Sequence, residues 1–119
     1  MAARGAGIDL VEVKAFEKTV RGKFGKQFLG KNFTEKELAF AGDDVRELAK
    51  MFAGKEAVYK AFGTGWIKGR DVEVSSRDGK PEVILHGEIE KIAEKEKIGR
   101  VLLSLSSEDG HAVAVALLE

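Results

Sequence analysis

Residues 44–62 constrain the fold of this chain more than any other stretch. Leu48, Phe52, Tyr59 and Phe62 recur in three- and four-residue steps or their sum, so they share one stripe of a helix. Ala49, Ala53, Gly54 and Ala57 keep a second region slim, where another backbone or a ligand can come close. Gly63-Thr64-Gly65 then stops the helix, since glycine takes the left-handed conformation of a C-terminal cap at no steric cost. The spacing predicts a helix from about Asp44 to Phe62.

The other elements arrange themselves around it. Gly7-Ile8-Asp9-Leu10-Val11 reads as a strand with one carboxylate in its middle. Val13, Phe16, Val20, Phe24 and Phe28 keep helical spacing, weakened at the far end by Gly22 and Gly25. Thr34 and Glu37 have the three-residue separation of a capping box and start another helix. Asp71–Val74 alternates, Arg77–Lys80 turns, and Pro81–His86 returns as a second strand. Glu88–Glu96 reads as a helix through Ile89, Ile92 and Ala93. A closing hairpin runs from Val101–Ser106 through a turn at Ser107–Gly110 into His111–Leu118. The order predicts an α+β domain, built on an antiparallel sheet packed with helices and spanning residues 1–119 as a single unit.

Composition narrows the chemistry. Twenty basic and twenty acidic side chains cancel, so overall charge offers no attraction to nucleic acid or to a membrane. No run is apolar and long enough to span a bilayer and no leader pattern opens the chain, so a cytoplasmic protein is expected. Without cysteine there is no disulfide, thiolate metal site or cysteine nucleophile. With only His86 and His111, a histidine-rich metal site is excluded as well. Any divalent-cation chemistry falls to carboxylates, which favour magnesium, manganese or calcium.

Two carboxylates are unusually placed. Asp9 interrupts an apolar strand, and Glu56 sits mid-helix on the slim side near Ala49, Ala53 and Lys60. If strand and helix pack together, the pair can meet and bind a hard cation. The alternative is that Asp9 faces solvent and Glu56 pairs with Lys60 four residues on. Gly63-Thr64-Gly65, following Lys60, reads either as a helix stop or as a loop whose backbone amides approach a phosphate. Between Lys14 and Lys31, six basic side chains face Glu17 alone. Lys14, Lys18 and Arg21 form one stripe, either a solvated face or a dock for an acidic partner.

Gly7-Ile8-Asp9-Leu10-Val11-Glu12 and Phe52-Ala53-Gly54-Lys55-Glu56-Ala57-Val58-Tyr59-Lys60-Ala61 resemble the two signatures of the phosphopantetheinyl transferases, and among them the small holo-acyl-carrier-protein synthase type. The resemblance covers nearly the whole chain, taking in Phe33-Thr34-Glu35, Phe62-Gly63-Thr64-Gly65, Gly79-Lys80-Pro81 and Leu103-Ser104-Leu105-Ser106.

It implies the 4′-phosphopantetheinyl transferase fold and transfer of 4′-phosphopantetheine from coenzyme A to a serine of an apo acyl-carrier protein, with release of 3′,5′-ADP. It implies further that Asp9 and Glu56 are ligands of Mg2+, with Mn2+ as a substitute. Lys60 would stand at the diphosphate, and Glu56 would act as the base for the carrier serine. Lys55, Gly63, Thr64, Gly65, Ser106 and Ser107 would contribute to the coenzyme A site. An acidic carrier helix would meet Lys14, Lys18 and Arg21, and the chain would form a homotrimer with sites at subunit boundaries, serving fatty-acid biosynthesis.

Two positions depart from the family pattern. Met51 stands where the family usually has arginine, and Ser107 where it has histidine. Both family residues serve the nucleotide end, chiefly the 3′-phosphate. Lys50, Lys55 and His111 are the candidates to replace them. The departures keep open a transferase using dephospho-coenzyme A or another donor, and a non-catalytic member that binds nucleotide or carrier.

Overall fold

The computed structural model describes residues 2–119. Its elements are β1 (Gly5–Glu12), α1 (Val13–Arg21), α2 (Gly25–Asn32), α3 (Glu35–Ala41), α4 (Val45–Phe62), a 3-10 turn (Gly69–Asp71), β2 (Val72–Arg77), β3 (Lys80–Leu85), α5 (Gly87–Lys95), β4 (Val101–Glu108) and β5 (His111–Leu118). The class is α+β with antiparallel pairing throughout. The strands form two sheets rather than one: a three-stranded sheet in the order β1-β5-β4 and the β2-β3 hairpin, which lies beside β4 without a ladder to it.

Helix α4 is the spine. Asp44 caps it, its Oδ1 accepting from the amides of Arg46 and Glu47 at 3.0 and 3.2 Å. Gly63 ends it at φ 74°, with its amide donating to the Tyr59 and Lys60 carbonyls. The slim region lies on the sheet. Ala49, Ala53 and Ala57 of α4 and Ala112, Ala114 and Ala116 of β5 are all fully buried, so small side chains meet small side chains. On β1 the approach is closer still. A Cβ at Gly7 would stand 2.0 Å from the Ala57 carbonyl oxygen, so only glycine fits there. The helix crosses the sheet obliquely, with Gly54 over Leu103 and Leu105 of β4 and Ala61 over Gly5 of β1.

The helix expected from Val13 through Phe28 is two helices. The chain becomes extended at Gly22 and folds back so tightly that a Cβ at Gly25 would lie 1.8 Å from the Val20 carbonyl oxygen. The break lets Phe28 turn inward to Phe16, with ring centroids 5.9 Å apart, while Phe24 stays 66% exposed. The closing hairpin also differs. β4 continues through Ser107 to Glu108, and the turn is Asp109-Gly110 alone, with φ of 50° and 75°. Two residues at positive φ match the twist of a tight hairpin, so the strands stay paired to the turn. Asp78-Gly79 does the same between β2 and β3.

The capping box at Thr34 and Glu37 forms as expected. Phe16, Phe33, Phe52 and Tyr59, with Trp66 alongside, make an aromatic layer between α4 and the helices α1 and α2. Among the described residues no helix is long and apolar enough to cross a membrane.

Candidate active site

The alternation of β1 runs against the usual polarity of a strand. Gly5, Gly7, Asp9 and Val11 face inward under α4, while Ile8 and Leu10 face outward, 63% and 62% exposed. The inward register is forced by the glycines, because only they fit beneath Ala57 and Ala61. Asp9 shares their face and is therefore carried in, to 8% exposure.

Across from it stands the last half of α4. Lys60 Nζ donates to Asp9 Oδ1 at 2.7 Å and to the Ile8 carbonyl at 3.2 Å, joining residues 51 positions apart. The partner of Lys60 is thus Asp9 and not Glu56, as the helical spacing alone allowed. The half-buried Glu56 carboxyl lies within hydrogen-bonding reach of Asp9. Burial raises its pKa, the Asp9 charge and a hydrogen bond with Asp9 raise it further, and the Lys60 charge opposes all three. The hydrogen bond to Asp9 likewise raises the pKa of Lys60.

Two carboxylates and one ammonium therefore converge at the β1–α4 contact. No group of three or more carboxylate, histidine or cysteine ligands occurs among the described residues. A donor set of two carboxylates suits magnesium or manganese, which keep waters and take further ligands from substrate phosphates. It suits zinc less well, whose sites are built mainly on histidine nitrogen and cysteine sulfur.

Beside Glu56 opens a cleft of about 600 Å³, walled by Phe24, Phe28, Phe52 and Trp66, with Gln27, Lys31 and Asn32 on its rim. Trp66 is set against Phe52 and Tyr59 at 5.2 and 5.4 Å between ring centroids. The loop carrying it is pinned, since the Tyr59 hydroxyl donates to the Lys68 carbonyl at 2.6 Å and accepts from the Lys68 amide at 3.1 Å. Gly63 and Gly65 are at positive φ with open space around them, next to Lys60 in sequence. Thr64 Oγ1 donates to the Gly65 carbonyl at 2.7 Å.

Lys14, Lys18 and Arg21 are exposed on α1, and Arg21 is bonded to Glu17 at 3.0 Å. Phe24, which follows them in the chain, lines the cleft beside Glu56.

The expected nucleotide residues do not gather there. Met51, 4% exposed, lines a separate hollow of about 340 Å³ with Lys50, Ser75, Ser76 and Leu105 on the β4 side. Lys50 is bridged to Glu47 at 2.9 Å. Ser106 and Ser107 point to opposite faces of β4, Ser106 outward and Ser107 inward. His111 Nδ1 lies 3.0 Å from the Asp109 carbonyl.

Lys55 corrects an expectation. Its side chain is wholly enclosed, with Nζ donating to both oxygens of Glu37 at 2.7 Å and to the carbonyls of Gly69 and Val72. Every donor is used inside the protein, so Lys55 cannot serve as a contact for coenzyme A. The sequence carried the signal: Lys55 falls three residues after Phe52 and four before Tyr59, on the apolar stripe itself. Another polar set, missed by sequence reasoning, links Glu73 to Thr34 Oγ1 at 2.8 Å and to His86 Nε2 at 3.0 Å.

Comparison with known proteins places the chain in a family. The family model of the 4′-phosphopantetheinyl transferase superfamily matches residues 5–116. The holo-[acyl-carrier-protein] synthase of Vibrio parahaemolyticus is 39% identical over 126 residues, covering 100% of this chain and 99% of that protein. That of Solibacter usitatus is 34% identical over 122 residues, covering 97% of each. The crystal structure of the Neisseria meningitidis synthase superposes with a TM-score of 0.90 at 36% identity, over 99% of both chains. That of the Helicobacter pylori synthase, in complex with coenzyme A, superposes with a TM-score of 0.86 at 28% identity, over 96% of this chain and 99% of that one. The chain belongs to the 4′-phosphopantetheinyl transferase superfamily and, within it, to the holo-[acyl-carrier-protein] synthases.

Proposed function

We propose that the chain moves 4′-phosphopantetheine from coenzyme A onto a serine of an apo acyl-carrier protein, with Mg2+ held by Asp9 and Glu56 and with 3′,5′-ADP as the second product. The observation that carries this reading is the meeting of Asp9, Glu56 and Lys60 at the β1–α4 contact. A metal held by Asp9 and Glu56, magnesium or manganese, would supply positive charge as the phosphoanhydride bond breaks.

The chain's own groups divide the remaining work. The carrier serine Oγ attacks the phosphorus that bears pantetheine, and the bond to the nucleotide's phosphate breaks. Glu56, at the edge of the aromatic cleft, takes the serine proton. Lys60, flexible on its four-carbon stem, neutralises the leaving 3′,5′-ADP, and the open Gly63–Gly65 loop next to it lets phosphate oxygens come close. The exposed Lys14 and Lys18, with Arg21, receive an acidic carrier helix, and exposed Phe24 leads its serine into the cleft. The carrier is that of fatty-acid biosynthesis in the cytoplasm.

The working form is a homotrimer. Ile8, Leu10, Leu102, Val115 and Leu117 are exposed on the outer face of the β1-β5-β4 sheet, a contiguous apolar surface that a lone subunit leaves in water. Association also answers a gap in the single chain, because Met51 and Ser107 lie toward the β4 edge of the sheet and Asp9 on its β1 edge. A site at the subunit boundary joins one edge to the other.

Incubating the chain with coenzyme A, Mg2+ and an apo carrier protein, followed by intact mass of the carrier, tests the reading. A mass gain equal to phosphopantetheine is expected. Binding of coenzyme A with no gain at any carrier concentration would instead assign the chain a non-catalytic role.

A second reading of the donor has its own support. Met51 is buried and apolar, and Ser107 offers only a neutral hydroxyl. The nucleotide end therefore lacks two charged groups, and dephospho-coenzyme A becomes a competent donor.

A further inference from the structure

Two carboxylates in contact, one of them nearly buried, repel each other unless a cation lies between them or one takes up a proton. Here the cation is supplied by the chain. Lys60 Nζ is seated on two acceptors at once, Asp9 Oδ1 at 2.7 Å and the Ile8 carbonyl at 3.2 Å, at the floor of the site. Asp9 is only 8% exposed, so little of its carboxylate edge is left for any other positive group. The Lys60 side chain is by contrast 54% exposed and is rooted in the last turn of α4, one stem away from the open glycine loop. Its ammonium can leave Asp9 by rotating side-chain bonds, with no change in the backbone. A hard divalent cation and an ammonium seek the same oxygens.

We infer that Lys60 is a placeholder: it occupies the place of the divalent cation on Asp9 until the metal arrives, and is then driven off toward the phosphates. This rests on the reading of Asp9 and Glu56 as the metal pair and adds to it an order of events in which metal binding itself sets the lysine free. Before the metal, Lys60 neutralises Asp9 where it stands beside Glu56. After it, the same charge stands where the diphosphate must come. A rigid structural salt bridge would behave differently, since the lysine would then stay on Asp9 and the metal would have to share it.

The test uses limiting amine acetylation of the intact wild-type chain, read by peptide mass spectrometry, with exposed Lys91 of α5 as internal reference. Mn2+ alone is expected to raise acetylation of Lys60 severalfold relative to Lys91, and inorganic pyrophosphate added with Mn2+ is expected to lower it again. In parallel, Mn2+ titration followed by electron paramagnetic resonance is expected to show Lys60→Met binding the metal about tenfold more tightly than wild type, because no ammonium has to be displaced. Asp9→Asn is expected to lose the bound Mn2+ signal. If Mn2+ binds and depends on Asp9, but neither Lys60 acetylation nor the Lys60→Met affinity changes, the placeholder role is overturned and the metal pair stands. If Mn2+ binding is absent or indifferent to Asp9→Asn, the metal pair fails and the placeholder with it.

Discussion

The Lys55 ammonium lies 2.7 Å from each carboxylate oxygen of Glu37, in a place from which solvent is excluded altogether. Glu37 also accepts from the Thr34 and Val74 amides, and Lys55 also donates to the Gly69 and Val72 carbonyls. One ion pair thus ties α3, α4, β2 and the turn before it. Burial lowers the Lys55 pKa, and the Glu37 charge and hydrogen bond act against that. Lys55, next to Glu56 in sequence, is structural, because adjacent positions on a helix point about a quarter-turn apart.

Lys55→Met leaves the Glu37 carboxylate buried without its cation, and a buried pair broken on one side typically costs about 3–5 kcal/mol. Urea unfolding of the variant should show a loss of that order. The folded fraction should keep its KM for coenzyme A, whereas a direct ligand role would raise it.

Gly7 and Gly54 both lie in the contact between α4 and the strands, and they should respond to alanine with opposite signs. At Gly7 the added carbon meets the Ala57 carbonyl, a backbone atom that cannot yield, and overpacking of this kind costs about 3 kcal/mol. At Gly54 it meets the ends of Leu103 and Leu105 at 3.2 Å, which can rotate away. There alanine gains about 1 kcal/mol of helix propensity, most of which should survive as added stability. Denaturant midpoints of the two variants on either side of wild type would check this.

How much of this was open to a reader of the residues alone differs from element to element. Helix α4 could be read almost to the residue, because its apolar stripe, slim stripe and glycine stop are all local features. Asp9 could be singled out as misplaced, but its inward direction follows from Gly7 meeting Ala57, a contact across the fold. The break after α1 was hidden, because Phe24 keeps helical spacing from Phe16 and Val20 although the chain reverses at Gly22. Ser107 reads as a turn residue because Ser, Glu, Asp and Gly follow one another, yet Asp109-Gly110 suffices to turn the chain.

Glu73 gives the fold an acid-sensitive hold. Burial acts to raise its pKa, but hydrogen bonds from His86 and Thr34 and the His86 charge outweigh it, and the folded value falls below the usual 4.5. A depressed carboxylate contributes stability that is fully present above about pH 4.5 and is lost as pH falls through the folded value. Glu73→Gln should therefore lower stability at neutral pH and flatten its decline below about pH 4.5, as followed by thermal melts across that range.

The donor end of the site should discriminate weakly. A charge-assisted hydrogen bond is worth about 1.5–3 kcal/mol against about 1 for a neutral one, so lacking one should reduce the preference for coenzyme A over dephospho-coenzyme A by about tenfold. The measurement is kcat/KM for both donors in wild type and in Met51→Arg with Ser107→His, which should restore the preference. A strong wild-type preference that the double variant leaves unchanged would place the 3′-phosphate on other groups, with Lys50 first to be mutated.

The central claim is that Asp9 and Glu56 together hold the metal on which transfer depends. Its most direct test is the intact mass of an apo carrier protein incubated with coenzyme A, Mg2+ and either wild type, Asp9→Asn or Glu56→Gln. Each variant removes one anionic oxygen at nearly constant volume, so the fold should persist, with melting temperatures within about 4 °C of wild type. The expected result is phosphopantetheinylated carrier with wild type and none with either variant. Magnesium-dependent modification by Asp9→Asn or Glu56→Gln at the wild-type rate would contradict the account.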